Sequence, residues 1–227
     1  MIASVQVANI GARRALGVLR SAPRPGSIPG LLHADVGLAA ELSGSLRPSP
    51  DFGRVGVVML WDDDASLDAY LAHHPLAEKL ASGWRVRLAP LRAHGSWPGL
   101  PTDIPSGRAA DHDGPAVVLT LGRLRVRRVV PFSKASAKAE ARVIEAPGLI
   151  WATGLARPPF LATCSLWQDT RALSTYAYGT ADPAHPDAIA SDRERPFHKQ
   201  SAFVRFAPSD SRGGLEGKNP LPETWMA

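Results

Sequence analysis

Trp61-Asp-Asp-Asp-Ala-Ser-Leu67-Asp-Ala-Tyr70 returns 106 residues later as Trp167-Gln-Asp-Thr-Arg-Ala-Leu173-Ser-Thr-Tyr176. Four of the ten positions are identical, pairing Trp61 with Trp167, Asp63 with Asp169, Leu67 with Leu173 and Tyr70 with Tyr176. A second match lies at an offset of 118, where Val86-Arg87-Leu88-Ala89-Pro90 pairs with Val204-Arg205-Phe206-Ala207-Pro208. Without a gap, Gly95 and Gly99 then pair with Gly213 and Gly217. The two offsets differ by 12, which marks an insertion within or after the helix of the second copy. Self-similarity over this distance reads as a copied supersecondary assembly.

Each copy reads β–α–β–β–α–β. In the first, strands are expected at Ile2–Ile10, Leu31–Leu38, Arg54–Trp61 and Trp84–Leu91, with a short helix at Ala12–Leu19. Arg54–Trp61 is rich in Val and has the β-branched bias of a buried strand. Asp63 or Asp64 then caps a helix, its carboxylate accepting from orphan amides. Leu67, Tyr70, Leu71 and Leu80 give that helix an apolar stripe. In the second copy, strands are expected at Ala116–Val126, Leu149–Leu155, Phe160–Trp167 and Ala202–Ala207, with helices at Ser133–Ile144 and Asp169–Tyr178.

This element order is the ferredoxin-like unit, which carries its helices on one sheet face and leaves the other to be covered. Two fused copies cover each other. The expected fold is therefore α+β: two tandem ferredoxin-like repeats joined as a single-chain dimeric α+β barrel. The repeats span 1–105 and 116–227, with a linker at 106–115 inside the Pro- and Gly-containing run Pro101–Pro115. Two independent α+β domains are the other reading.

Composition narrows the class. The chain has 227 residues, 44% of them hydrophobic and 21% charged, which fits an ordinary globular protein. A single cysteine excludes an intramolecular disulfide framework. No apolar run approaches the roughly 18 residues of a spanning helix. Met1–Arg20 contains Asn9, Gly11, Arg13 and Arg14, which makes it a poor signal peptide. A cytoplasmic protein is expected, with peripheral contact to an acidic membrane surface as an open option. The net charge of +5 comes with no RNA-binding aromatic motif, zinc-finger spacing or Lys-rich tail, so no nucleic-acid partner is expected.

Several familiar chemistries are missing from the sequence. It has no Gly-x-Gly-x-x-Gly, no phosphate loop ending in Gly-Lys-Ser/Thr, no Gly-x-Ser-x-Gly elbow and no His-Glu-x-x-His. Of the seven histidines, His112 reads as solvated between two aspartates, and His33 as a core residue on a strand. His73-His74-Pro75 reads as a helix end, with cationic help to the C-terminal dipole or a weakly signalled metal site with Asp62–Asp64. His185, in the inserted segment, and His198, before the last strand, are candidate axial ligands, since neutral imidazole suits iron. Cys164 reads as a buried thiol or, more sharply, as a thiolate ligand. Arg123, Arg125 and Arg127 alternate with Leu124 and Val126, so a strand would present all three on one face. There they either hold carboxylates or form a solvated strand end. Trp61, Trp151, Phe160 and Trp167 either line an apolar pocket or belong to the core.

The order of motifs resembles the spheroidene monooxygenase family, the acyclic carotenoid ketolases. The segments that carry it are Val117-Val-Leu-Thr-Leu-Gly-Arg123, Phe160-Leu-Ala-Thr-Cys-Ser-Leu-Trp-Gln-Asp169, His185-Pro-Asp-Ala-Ile, Pro196-Phe-His-Lys and Phe203-Val-Arg-Phe206 running into Gly213–Pro220. Trp61-Asp-Asp and Gly95-Ser-Trp97-Pro-Gly99 correspond in the first half. The sequence departs from the family at Leu32-His33-Ala34, Gly37-Leu38-Ala39 and Arg127-Arg128-Val129-Val130. The resemblance implies a haem b-dependent, O₂-using monooxygenase that acts on a long apolar polyene, with electrons from a ferredoxin-type donor. It implies His185 as the iron ligand, because His185 falls on a family histidine. Arg123 and Arg125 are then candidates for the haem propionates. A cofactor-free α+β barrel that binds a small apolar molecule is the competing expectation, and a basic protein acting at acidic surfaces is a third.

Overall fold

A computed structural model describes residues 1–43, 51–107, 112–178 and 197–221. Eight strands form one antiparallel sheet closed on itself: β1 (Ile2–Asn9), β2 (Leu31–Glu41), β3 (Arg54–Trp61), β4 (Trp84–Gly95), β5 (Ala116–Leu124), β6 (Leu149–Arg157), β7 (Phe160–Trp167) and β8 (His198–Gly213). The order around the barrel is β1-β3-β2-β6-β7-β5-β8-β4. The first four strands thus run β4-β1-β3-β2 and the last four β8-β5-β7-β6. The halves join at two seams, β2 with β6 and β4 with β8. Among the described residues, five helices lie outside: α1 (Ala12–Arg20), α2 (Asp64–His73), α3 (Pro75–Leu80), α4 (Val129–Ile144) and α5 (Thr170–Tyr178).

Strand alternation separates two kinds of core. Ala3, Val5 and Val7 of β1 point inward with Val58 and Leu60 of β3, Val86 and Leu88 of β4, Leu119 and Leu121 of β5, and Val204 and Phe206 of β8. An eight-stranded barrel is just wide enough for side chains to fill it, and here Trp84, Trp97, Phe160 and Phe206 do so. Outward-facing Val55, Val57, Met59 and Trp61 meet Ala15, Val18, Leu67, Tyr70 and Leu80 from α1–α3. The corresponding layer under α4 and α5 is thinner, with Ala116, Trp167 and Leu173 at its centre.

The matched positions occupy matching places. The rings of Trp61 and Tyr70 lie 5.0 Å apart, as do those of Trp167 and Tyr176. Asp63 accepts from the Ser66 amide at 2.8 Å and Asp169 from the Ala172 amide at 2.6 Å, each at the start of its helix. The bond from Ser66 holds the Asp63 carboxyl below its ordinary pKa. Val86 and Leu88 face the interior, and so do Val204 and Phe206. Gly95 and Gly99 take positive φ values of 89° and 74°, and Gly213 and Gly217 take 73° and 80°. Behind the first glycine of each pair, Trp97 and Leu215 both pack against the inner core.

The structure changes several expectations. The expected helix after Asp63 is two helices, because Pro75 has no amide for α2 to use but suits the first position of α3. His74 joins them. Its Nδ1 accepts from the Leu76 amide at 3.1 Å, so it acts as a neutral cap and not as a cation on the helix dipole. Burial, with Lys79 nearby, lowers its pKa. The strand expected to reach Val126 stops at Leu124, and a 3₁₀ turn follows over Val126–Arg128. The Arg128 amide bonds back to the Arg125 carbonyl at 2.7 Å. Arg123, Arg125 and Arg127 therefore do not share a strand face. β8 is far longer than Ala202–Ala207, since it ladders with β4 on one side and β5 on the other.

Candidate functional site

Two polar clusters stand near one end of the barrel. The first is at the mouth, on the inner face. His33 and Asp35, two apart on β2, both point inward, and His33 Nε2 lies 2.9 Å from Asp35 Oδ2. Trp97 donates its indole N–H to the same carboxylate oxygen at 2.8 Å. The positive φ of Gly95 and Gly99 lets the short segment between them fold back and drop Trp97 into the barrel. Arg123 sits with its guanidinium carbon 5.2 Å from the Trp97 ring centroid, a cation–π contact. Phe160 meets Trp97 at 6.1 Å. A buried carboxylate with an indole N–H and an imidazole on one oxygen is satisfied, and it fixes both rings.

The second cluster is on the outer face, at the start of α4. The His198 ring lies against β5 where residue 122 is glycine; a Cβ there would sit 2.6 Å from His198 Cδ2. Phe132 of α4 meets His198 edge-on at 5.3 Å and Phe197 at 6.0 Å. Arg125 Nε donates to the His198 carbonyl at 3.1 Å, and the Arg128 guanidinium carbon lies 5.2 Å from the Phe197 ring centroid. Further along the same face, Phe203 is half-exposed opposite Thr120. The cluster combines an imidazole, a donor type that suits iron, with guanidinium groups that suit carboxylates and with aromatic rings.

The structure distributes the expected site residues. Trp61 and Trp167 lie under the helices of the two halves, their indole N–H groups bonded to Ser4 and Ser165, both at 3.0 Å. Trp151 and Phe160 pack on the inner core but near opposite ends of the β6–β7 ladder, Trp151 against Trp84 at 5.1 Å and Phe160 against Trp97. These four aromatic residues line no common pocket among the described residues. Arg123 lies over the Trp97 ring at the mouth, whereas Arg125, beyond the end of β5, donates to the His198 carbonyl. His185 lies outside the described residues. Burial pushes the Cys164 thiol up to about 12, so it is an inert core thiol. No group of three His, Cys, Asp or Glu residues among the described residues is arranged to hold a metal ion. No described helix is long and apolar enough to cross a membrane.

The sequence reading missed Asp35, Arg128, Phe132 and Phe197. The spacing of His33 and Asp35 was a usable signal, since residues two apart on a strand share a face. The role of Trp97 carried none, because its partner is 62 residues away.

Comparison with known proteins bears on this geometry. A spheroidene monooxygenase of Rubrivivax gelatinosus is 32% identical over 197 residues, covering 84% of this chain and 73% of that protein. The chain belongs to the spheroidene monooxygenase family. A second spheroidene monooxygenase, from Cereibacter sphaeroides, is 25% identical over 186 residues, 79% of this chain and 57% of that protein. No protein-family model matches. Among solved structures, aldoxime dehydratase (OxdRE) in complex with butyraldoxime superposes with a TM-score of 0.53 at 11% identity, over 99% of this chain and 84% of that one. That likeness concerns the fold. Within the spheroidene monooxygenase family, this member places its Gly95–Gly99 motif over a barrel mouth and its Pro196-Phe-His-Lys motif, from Phe197 on, at the outer cluster.

Proposed function

We propose that this member of the family is a haem b-dependent monooxygenase that oxidises an apolar, carotenoid-like substrate with O₂ and electrons from a ferredoxin-type donor. The observation that carries the reading is the 32% identity to a spheroidene monooxygenase across most of both chains. The outer cluster supports it through its donor types. When bound, haem would supply O₂ activation, and successive oxygen insertions at one carbon would leave a ketone.

The chain's own residues would bind, orient and exclude water. His185 is proposed as the iron ligand from its family position, and His198 is the described imidazole that competes for that role. Of the two arginines expected at the propionates, Arg123 is already held over the Trp97 ring at the mouth. We assign the role to Arg125, with Arg128 beside it. Phe132 and Phe197 would keep water from the imidazole, and half-exposed Phe203 would meet the polyene. Trp151 and Phe160 are the two expected pocket residues that pack on the inner core.

We also propose that the halves 1–105 and 116–227, joined at 106–115, are copies of one ferredoxin-like unit. Matching strand order, helix caps, Trp–Tyr pairs and positive-φ glycines support this. The second functional reading, a cofactor-free barrel holding a small apolar ligand, draws on the family departures at Leu32-His33-Ala34. Purification from cells supplied with haem separates the two. A Soret band and conversion of an acyclic carotenoid to its ketone are expected; colourless protein that haem does not reconstitute would leave the cofactor-free reading.

A further inference from the structure

A hollow of about 410 Å³ lies where α1 ends and α3 begins. Val18 and Leu76 form its apolar side, and Arg20, Arg24, Lys79 and His74 also line it. No carboxylate among the described residues contributes to the lining.

Some arginines elsewhere on the surface are balanced by carboxylates. Arg54 reaches Glu41, Asp51 and Glu216, Arg87 reaches Asp64 and Asp68, and Arg212 reaches Asp210. Arg20, Arg24 and Lys79 have no such partner among the described residues. Three like charges around one concavity repel each other, and a bound anion relieves that. The wall is also shaped in advance. Ser27 Oγ accepts from the Arg24 amide at 3.0 Å and donates to the Arg24 carbonyl at 2.7 Å, closing the turn that presents Arg24. Since His74 Nδ1 accepts from the Leu76 amide, the ring proton is on Nε2, and the imidazole lines the hollow as a donor.

We propose that this hollow binds the phosphate group of a small phosphorylated molecule. Three cations favour a multiply charged group over a single carboxylate, and the Val18–Leu76 side suits an apolar substituent. The site is independent of haem and of the reading above. A free phosphate ester and a phospholipid headgroup carry the same chemistry, so the test has two arms.

Inorganic pyrophosphate is titrated calorimetrically into the full chain, and sedimentation with vesicles of anionic phospholipid is compared with vesicles of phosphatidylcholine. Saturable pyrophosphate binding that weakens steeply with salt is expected for a soluble source. Sedimentation with anionic vesicles alone marks the headgroup. In either arm, Arg24→Glu with Lys79→Glu should weaken binding by about tenfold or more, and Arg24→Lys should retain most of it. Both side chains, Arg24 and Lys79, are exposed, so circular dichroism should not change. Lys134→Glu with Lys138→Glu, the same charge change on α4, should leave binding intact. The proposal is overturned if neither probe binds, or if the two double variants weaken binding equally.

Discussion

Trp97 reaches across 62 residues of sequence to donate its indole N–H to Asp35 at 2.8 Å, inside the barrel mouth. The bond ties the Gly95–Gly99 segment to β2. Trp97→Phe keeps most of the ring volume but leaves the buried carboxylate one donor short. A loss of about 1.5–3 kcal/mol in urea unfolding is expected. An unchanged midpoint would mean that water or His33 replaces the indole without cost.

The Trp61 ring is fully buried between the sheet and α2. Trp61→Ala should cost about 3–5 kcal/mol, the range for emptying an aromatic site. Asp169→Ala, which removes only a helix cap, should cost about 1 kcal/mol. Denaturation of both variants checks the ranking; a cap loss as large as the tryptophan loss would contradict it.

His74 makes stability depend on pH. Its folded pKa lies below the ordinary histidine value, so the unfolded chain binds the proton more readily and stability rises with pH through that window. Its contribution is present at neutral pH and is lost as the solution is acidified from about pH 7 toward about pH 5. Asparagine can also cap α3 but does not titrate. His74→Asn should therefore flatten the slope of unfolding free energy against pH, and an unaltered slope would remove His74 as its source.

Cys164 is fully buried with its pKa raised to about 12. The native protein should resist a thiol reagent at neutral pH, and denaturant should release one reactive thiol per chain. Rapid labelling of native protein would contradict the packed interior.

Gly122 lies against the His198 ring, and Gly122→Ala would force the imidazole away. If His198 ligates iron, Gly122→Ala and His198→Ala should both weaken the Soret band while His185→Ala spares it. The reverse pattern assigns the iron to His185.

Local pattern carried much of this fold. β3 and β7 match their expected ranges because β-branched and apolar runs bounded by turn residues are readable without tertiary context. The cap of α2 was readable as Asp63 or Asp64, since a cap acts on amides two or three residues away, and the structure uses Asp63; Asp169, read as the first residue of its helix, caps α5 instead. What stayed hidden depends on distant partners. The length of β8 is set by ladders to β4 and β5, and the last bond between those two segments is made by the Arg125 amide to the Phe197 carbonyl, 72 residues on, before the chain turns away. The period-two reading of the arginines had no access to that bond. The mouth cluster was half legible: His33 and Asp35 share a face by spacing, but nothing near Trp97 names its acceptor.

The barrel closes only through β8, which pairs with β4 along one side and β5 along the other. During synthesis, β4 and β5 must wait as bare edges until the ribosome has released the last of these strands. Protection of those two edges from chaperone binding or from sticking to a neighbouring polysome is thus postponed until the eighth strand has been made.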